Sequence, residues 1–433
     1  MNQPGARLAG WVVAAVLCVC FVWLQVARPL DDGGTGIVGR VSHSNDYKHV
    51  YLGSMLLFEG LSPYDAENML TTAGAASAED GRFRTILPYV YLPFTGLAMR
   101  PFSQLPFAQS VVAFQVANHL MLIVALALVL WSSGLWTRWG SWSVAVAAGL
   151  VAFNAALFRQ NLAGQLNVVL LLCWAVVYTA DRRGWHPAVA GGVAAFGALF
   201  KLSPGILILW FLLRRRWSEA LWMSAIGAAL MGISIGAFGL RVHLDFIPVL
   251  RDMGFGKSTW SEFGHTFWRD DYNQSINALM HRLLVPMEGR PAPWIAGSAT
   301  LANGLTWAFA LGLLGIWATA CWRAPAAAHA STLAMTLGAS LLLPSICWDH
   351  YLVQLLPGIL LLAAAGPTLL TGRNALLAVA AILVSVPIPF HELGGGIGLL
   401  AGSAKLPAAL IVFAVGAWDA FRPEPSSPLS DTT

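Results

Sequence analysis

Charge is what this chain has least of. Of its 433 residues only 11% are Asp, Glu, Lys or Arg, while 57% are hydrophobic; a soluble globular domain carries roughly 25% charged residues. With a mean hydropathy of +0.65, the composition excludes an ordinary water-soluble fold. Cysteine is nearly as sparse. Four of the five, Cys18, Cys20, Cys173 and Cys321, fall in or at the ends of apolar segments, and Cys347 sits near the end of another. Neither a disulfide framework nor a metal-ligand spacing emerges from them. A Walker-type Gly-rich loop and a GxGxxG turn are both missing, which argues against an ATP-driven pump or a nucleotide-binding enzyme. No small-x-small cleavage site follows the apolar run behind Arg7, so the N-terminus reads as an uncleaved signal anchor. No cofactor, no metal and no nucleic-acid partner is expected.

What the chain does have is membrane-length apolar runs. The stretches 8–27, 110–131, 218–238, 297–322 and 396–421 are each long enough for a helix crossing about 30 Å of hydrocarbon. The 19 Trp suit the interfacial belts of such a protein. The expectation is an all-α, polytopic membrane protein. Orientation follows from the short arginine-bearing turns: Arg138, Arg182–Arg183, Arg214–Arg216, Arg323, Arg373 and Arg422. Placing all of them in the cytoplasm, by the positive-inside rule, requires the runs between them to cross in pairs. The stretch 187–213 has arginines at both ends and must instead be a hairpin. Its turn falls at Lys201-Leu202-Ser203-Pro204, where Pro204 disfavours helix at the residue before it.

That scheme gives roughly a dozen segments, with both termini cytoplasmic in a bacterial-type plasma membrane. Two long loops, about 28–108 and 239–295, and three short connections (159–163, 347–350, 390–396) face outward. Residues 1–421 form one integral domain. The tail from Arg422 onward is polar, Pro/Ser-rich and expected to be disordered.

Polar residues that interrupt the apolar pattern are the candidates for chemistry. Asp46 opens the segment Asn45–Asp65 on the far side of the first apolar run. A carboxylate at a membrane–water boundary can accept a proton; the plainer reading is an acid in the first turn of a helix capped by Ser44 or Asn45. Tyr47 and Tyr51 follow it. Gly164-Gln165-Leu166-Asn167 opens another apolar segment after Arg159-Gln160-Asn161. Its amides either satisfy free helix-end groups or hold sugar hydroxyls, since each amide both donates and accepts. A cation such as Lys201 costs roughly 2.5–3.5 kcal/mol at mid-membrane on insertion scales, so it needs water, an anion or a snorkelling route. Asp349 and His350 lie in Trp348-Asp349-His350-Tyr351 between two apolar helices; Asp349 caps the second helix or His350 bonds a phosphate or sugar. Asn273-Gln274-Ser275, with Arg282 further on, adds donors or is simply a solvated loop.

Taken in order, these pieces resemble glycosyltransferase family 87. The similarity rests on Asp46-Tyr47 to Pro63-Tyr64, Tyr91-Leu92-Pro93-Phe94, Gly164-Gln165-x-Asn167, Lys201-x-x-Pro204, Asn273-Gln274-Ser275 and Trp348-Asp349-His350-Tyr351. The resemblance implies a glycosyltransferase-C fold that moves a hexose, mannose by preference, from a polyprenyl-phosphate sugar to a hydroxyl of an envelope glycolipid or glycan. It implies Asp46 as general base, acting outside the cytoplasm with inversion. Lys201, His350, Arg159 and Arg282 would meet the donor phosphate. Tyr47, Tyr51, Gln165, Asn167, Asn273, Gln274 and Asp349 would hold sugar or acceptor. The family often has Tyr-Pro-Pro where this chain has Tyr91-Leu92-Pro93. The rival class is a multi-pass lipid or solute transporter, which would also explain a broken helix at 187–213 but predicts charge near the bilayer midplane and repeat symmetry. A third is a subunit without activity.

Overall fold

In hydrocarbon every backbone N–H and C=O has to be satisfied within the chain, and helices do this residue by residue. The computed structural model describes residues 4–28, 46–80, 86–258, 270, 272–286, 295, 297–366, 372–388 and 395–422, and among these it is helical with no strand. The proposed caps Ser44 and Asn45, the tail beyond Arg422 and most of the connection at 390–396 lie outside the described residues.

The principal helices, in chain order, are α1 (Pro4–Phe21), α2 (Tyr47–Phe58), α3 (Phe107–Ser132), α4 (Ser141–Ala152), α5 (Ala155–Ala163), α6 (Asn167–Arg182), α7 (Pro187–Phe200), α8 (Ile206–Leu213), α9 (Trp217–Phe238), α10 (Leu240–Asp252), α11 (Ile276–Leu284), α12 (Ala299–Arg323), α13 (His329–Leu342), α14 (Leu355–Ala365), α15 (Gly372–Ser385) and α16 (Leu406–Phe421). Four are long and apolar enough to cross a membrane: α1 with its π-helical continuation to Ala27, α3, α9 and α12. The α4–α5 pair makes a fifth if its 56° bend is counted within one span. Among the described residues six further apolar helices are shorter, at 10–17 residues. This is a multi-pass membrane protein.

Two expected segments are corrected by the structure. The run 141–158 does not end at residue 158: it bends after Ala152, and α5 carries on through the expected connection to Ala163. The run 396–421 is broken. A short helix, Gly395–Ala401, stops at a turn, and α16 starts anew at Leu406 behind a buried Lys405.

The break at Lys201 is present. Lys201 is extended (φ −158°, ψ 127°), and a 3-10 turn, Ser203–Gly205, leads into α8. At one end of the bundle Lys201 Nζ donates to Asn167 Oδ1, at 2.9 Å, where α6 begins. At the other end Arg216, just past α8, pairs with Asp181, where α6 finishes. Since α6 is about 24 Å long at 1.5 Å per residue, residues 187–213 run up beside it and return.

The same end gathers the other arginine turns. Arg138 donates to the carbonyls of Ala364 (3.0 Å) and Gly366 (2.8 Å), and Arg183 to Trp131 O at 2.7 Å. Arg214 reaches Pro325 O at 2.8 Å, and Arg373 Nε lies 2.9 Å from Asp419 Oδ1. Each guanidinium satisfies a helix C-terminus or a carboxylate, so this end is fastened by its cations.

Between lipid-soluble helices, close packing replaces the hydrophobic drive, and small residues permit it. Gly191 on α7 shows how close. A Cβ there would sit 2.6 Å from the Glu219 carbonyl oxygen and 2.7 Å from the Met223 amide nitrogen, both backbone atoms of α9. Gly191→Leu is therefore expected to lower stability by about 1–3 kcal/mol through overpacking. Thermal unfolding in detergent reads this out, and an unchanged midpoint would contradict the close α7–α9 contact.

Candidate active site

Opposite the arginine end, several separate chain segments bring polar side chains together. Asp46 occupies the N-cap position of α2 but makes no side-chain cap bond to it. Instead its Oδ2 accepts a hydrogen bond from Gln165 Nε2 and lies 4.0 Å from His350 Nε2. The carboxylate is only 15% exposed. The helix-starting explanation for Asp46 therefore does not account for where its side chain goes.

Gln165 sits where α5 stops and α6 starts. Gly164 ends α5 with a left-handed φ of +63°, a conformation glycine adopts without a Cβ penalty. Gln165 Oε1 in turn accepts from the Tyr91 hydroxyl at 3.3 Å. Burial, reinforced by the Asp46 charge, pushes the Tyr91 phenol above its usual range, so it stays a donor. His49, one helical turn after Asp46, stacks on the Tyr91 ring at 5.8 Å. Burial lowers its imidazole to about 4 against the pull of Asp46, which keeps it neutral near pH 7.

A second chain of contacts runs from α5 to the hairpin. Gln160 bonds the Gln165 carbonyl through Nε2, and its Oε1 accepts from Asn167 Nδ2 at 2.7 Å. Asn167 Oδ1 accepts from Lys201 at 2.9 Å and from Gln354 at 3.5 Å. Lys201 Nζ also lies 3.6 Å from the centre of the Tyr351 ring, a cation–π distance. Its partners are an amide oxygen and a ring face, both neutral, and burial pulls its ammonium down to about 7 against the pull of Asp46, so an anion beside it would favour the protonated form. Beside it opens a cavity of about 330 Å³, lined by Tyr91, Lys201 and Tyr351 among mostly apolar side chains.

The third part is an ion cluster around Asp349, which is 1% exposed. Arg159 Nε lies 3.3 Å from it, Lys405 Nζ 3.7 Å and His350 Nδ1 3.7 Å. Arg159 also stacks over the Tyr272 ring at 3.6 Å. The cap position of the 3-10 helix Asp349–Gln354 is Trp348, not Asp349. His350 stands between the two carboxylates, one ring nitrogen towards each.

Asp46, Gln165, Asn167, Lys201, His350, Asp349 and Arg159 thus form one connected cluster. The other expected residues lie outside it. Tyr47 is 1% exposed, bonds Ser110 Oγ at 2.6 Å and stacks on Phe114; the Tyr51 hydroxyl donates to Leu105 O at 2.9 Å. Both belong to an aromatic core that fixes α2 against α3. Asn273 and Gln274 are buried and are no solvated loop. Asn273 Oδ1 accepts from the Cys347 amide at 3.0 Å, Gln274 Nε2 donates to Gly402 O at 2.7 Å, and Gln274 Oε1 accepts from the Lys405 amide at 2.9 Å. Arg282 donates to Asp270 O and Asn273 O, each at 2.8 Å, and to Ser403 Oγ at 2.5 Å. These three brace the Trp348-Asp349-His350 segment from behind. Sequence reasoning overlooked Lys405, His49 and Gln354. Lys405 carried a usable signal, since it is a lone cation inside an apolar run, as Lys201 is.

Fold and cluster define an integral membrane protein with a buried cluster of carboxylates, cations and amides at one end of its bundle, beside a mostly apolar cavity that Lys201 lines. The profile of glycosyltransferase family 87 matches residues 89–345. That stretch holds Gln165, Asn167 and Lys201, whereas Asp46 and His350 lie to either side of it. Among curated proteins, the chain is 25% identical over 371 residues to the polyprenol-phosphate-mannose-dependent alpha-(1-2)-phosphatidylinositol mannoside mannosyltransferase of Mycobacterium tuberculosis, covering 80% of this chain and 76% of the relative. The Mycolicibacterium smegmatis protein of the same name is 25% identical over 339 residues, 75% and 70% of the two chains. A polyprenol-phosphate-mannose-dependent alpha-(1-2)-phosphatidylinositol pentamannoside mannosyltransferase of the same organism is 27% identical over 288 residues, 63% and 60%. No solved structure matches the chain significantly. The chain belongs to glycosyltransferase family 87.

Removing one partner from a buried ion cluster leaves the others uncompensated, at a cost of about 3–5 kcal/mol. Asp349→Ala, which strands Arg159 and Lys405, is accordingly expected to lower the unfolding midpoint far more than Arg159→Ala, whose side chain is one-third exposed. Equal midpoints for the two variants would contradict the cluster's geometry.

Proposed function

We propose that this enzyme transfers mannose from a polyprenol-phosphate donor to a hydroxyl of a glycolipid, with Asp46 as general base. The observation that carries the proposal is the Asp46 carboxylate, held by a neutral amide beside His350, in a cluster that Gln160 and Asn167 link to Lys201. The printed specificities of the mycobacterial relatives support both the donor and a phosphatidylinositol mannoside-like acceptor with an α-(1-2) linkage. The working face is extracytoplasmic and the arginine end cytoplasmic, in keeping with the positive-inside rule. About a dozen apolar segments, a glycosyltransferase-C arrangement, residence in a bacterial-type inner membrane and cytoplasmic termini complete the reading.

The reaction is a single displacement. The acceptor oxygen attacks the anomeric carbon as its proton passes to Asp46. A new C–O bond forms on one face of the sugar while the bond to the phosphate oxygen breaks on the other, so the configuration inverts. The bonding electrons leave with polyprenyl phosphate. Its growing negative charge is met by Lys201 and His350, with Arg159 close behind, as preorganised groups in a low-dielectric site. Gln165 orients the Asp46 carboxylate through its hydrogen bond and, with Asn167 and His49, offers hydrogen-bonding groups to sugar hydroxyls. Asp349 fixes the orientation of His350 and Arg159.

A positioned general base contributes roughly 10²–10⁴-fold. Asp46→Asn retains the shape and the Gln165 neighbour but loses basicity, so kcat is expected to fall by at least that order while the purified variant keeps its unfolding midpoint. Transfer at the wild-type rate would overturn the assignment. Lys201→Ala is expected to raise KM for the donor and leave KM for the acceptor unchanged. An unaltered donor KM would remove Lys201 from the phosphate site.

A further inference from the structure

The ion cluster holds a cation that the transfer step does not use. Lys405 is 1% exposed, and its Nζ lies 3.7 Å from Asp349 Oδ2. Asp349 already has Arg159, 3.3 Å from its Oδ1, and burying a second ammonium carries a further desolvation cost. The fold nonetheless fixes it there. Residues 272–274 hold both partners by the backbone: the Asp349 amide donates to Tyr272 O at 2.8 Å, and the Lys405 amide to Gln274 Oε1 at 2.9 Å. Gln274 Nε2 also donates to Gly402 O at 2.7 Å, and Arg282 to Ser403 Oγ. Two residues far apart in the chain are thereby set side by side on one frame.

What the pair acts on is His350. Its Nδ1 lies 3.7 Å from Asp349 Oδ1, and its Nε2 4.0 Å from Asp46 Oδ2. That Nε2 is buried and makes no hydrogen bond. Two cations beside Asp349 favour its ionised form, and an ionised carboxylate keeps the imidazole proton on Nδ1. The lone pair then sits on Nε2, next to the group that collects the acceptor's proton. A gap of this size is ordinary for a catalytic contact before substrate binds. The other imidazole near Asp46 is a poorer recipient: His49 lies flat on the Tyr91 ring, and burial lowers it to about 4.

We propose that Asp46 hands the acceptor's proton to His350 Nε2 and that the imidazolium passes it to the departing polyprenyl phosphate, with Asp349 and Lys405 as positioning residues that keep Nε2 free to receive it. The inference rests on the transferase reading above and adds the route by which the base is reset. The acceptor O–H proton moves to Asp46 Oδ2 as the new C–O bond forms, and the electron pair of the broken anomeric C–O bond leaves on a phosphate oxygen. That oxygen takes the proton from Nε2, so Asp46 ends ionised and His350 neutral, as they began. A phosphate monoester is a competent end point, since its second pKa is about 6.

The test uses the full-length enzyme in nanodiscs with a long-chain polyprenyl-phosphate mannose and a phosphatidylinositol mannoside. The first turnover, read by rapid quench, is compared with the steady state. His350→Gln keeps an amide that donates to phosphate but cannot carry a proton. Its steady-state rate is expected to fall by about 10²–10⁴-fold, and further in D2O, while the first turnover falls far less because Asp46 starts ionised. Lys405→Met is expected to show the same split in milder form, and Lys405→Arg to restore the wild-type ratio. A Lys405→Met variant that loses stability but keeps that ratio would remove Lys405 from the relay. Equal losses in both phases of His350→Gln, or none in the second, overturn the relay while leaving the transferase reading intact. Failure of the wild-type enzyme to transfer mannose at all overturns both. Should the variants not fold, NMR of the wild-type enzyme with labelled histidine nitrogens reads the tautomer directly. Asp349-His350 is the only Asp-His pair in the chain, so labelling the Asp carbonyls as well assigns the signal. A proton on Nδ1 and a bare Nε2 are expected, and a proton on Nε2 would overturn the relay.

Discussion

A carboxylate that is to take up a proton cannot also be locked in an ion pair, and at a membrane boundary it cannot be left without a donor either. The site resolves this through Gln165. Its amide donates to Asp46 without neutralising it, and Tyr91 orients the same amide from the other side. Because Gln165 belongs to the turn between α5 and α6, the Asp46 carboxylate at the start of α2 is registered against the core of the bundle. The remaining charges follow from that choice. The nearby cations are engaged elsewhere: Arg159 and Lys405 with Asp349, and Lys201 with an amide and a ring face.

The two ends of the bundle use charge in opposite ways. At the arginine end, guanidiniums are consumed by helix carbonyls and carboxylates, and the contacts serve only to fasten helices together. At the other end neutral amides link Asp46 to Lys201, beside the ion cluster around Asp349. The hairpin at 187–213 connects these two regimes. Anchored through Arg216 to Asp181 at its base, it carries Lys201 at its tip to the start of α6. Close α7–α9 packing at Gly191 keeps that tip in place.

Much of this was legible in the residues. The broken helix followed from arginines at both ends of one apolar run together with Pro204. The association of Asp46, Gln165, Lys201 and His350 followed from a family resemblance, since spacing alone says nothing of which loops meet. What could not be read was how each polar side chain is used. Tyr47 and Tyr51 lie on the same helix as Asp46, yet both are turned into an aromatic core. Asn273, Gln274 and Arg282 have the composition of a binding loop, but they hold the His350 segment by bonding backbone groups, a role visible only once residues 272–275 and 345–349 are side by side. Lys405 was hidden within a run long enough to be one crossing, and its partner Asp349 lies 56 positions away. Long-range pairing of this kind leaves no local signature.

The most direct test of the account is the anomeric configuration of the product. Purified enzyme would be supplied with a β-linked polyprenyl-phosphate mannose and a phosphatidylinositol mannoside acceptor, and the new linkage examined by NMR of the isolated glycolipid. A single displacement driven by one carboxylate base predicts an α-linked mannose. A β-linked product would require a second displacement, or a nucleophile in place of a base, and would contradict the role given to Asp46.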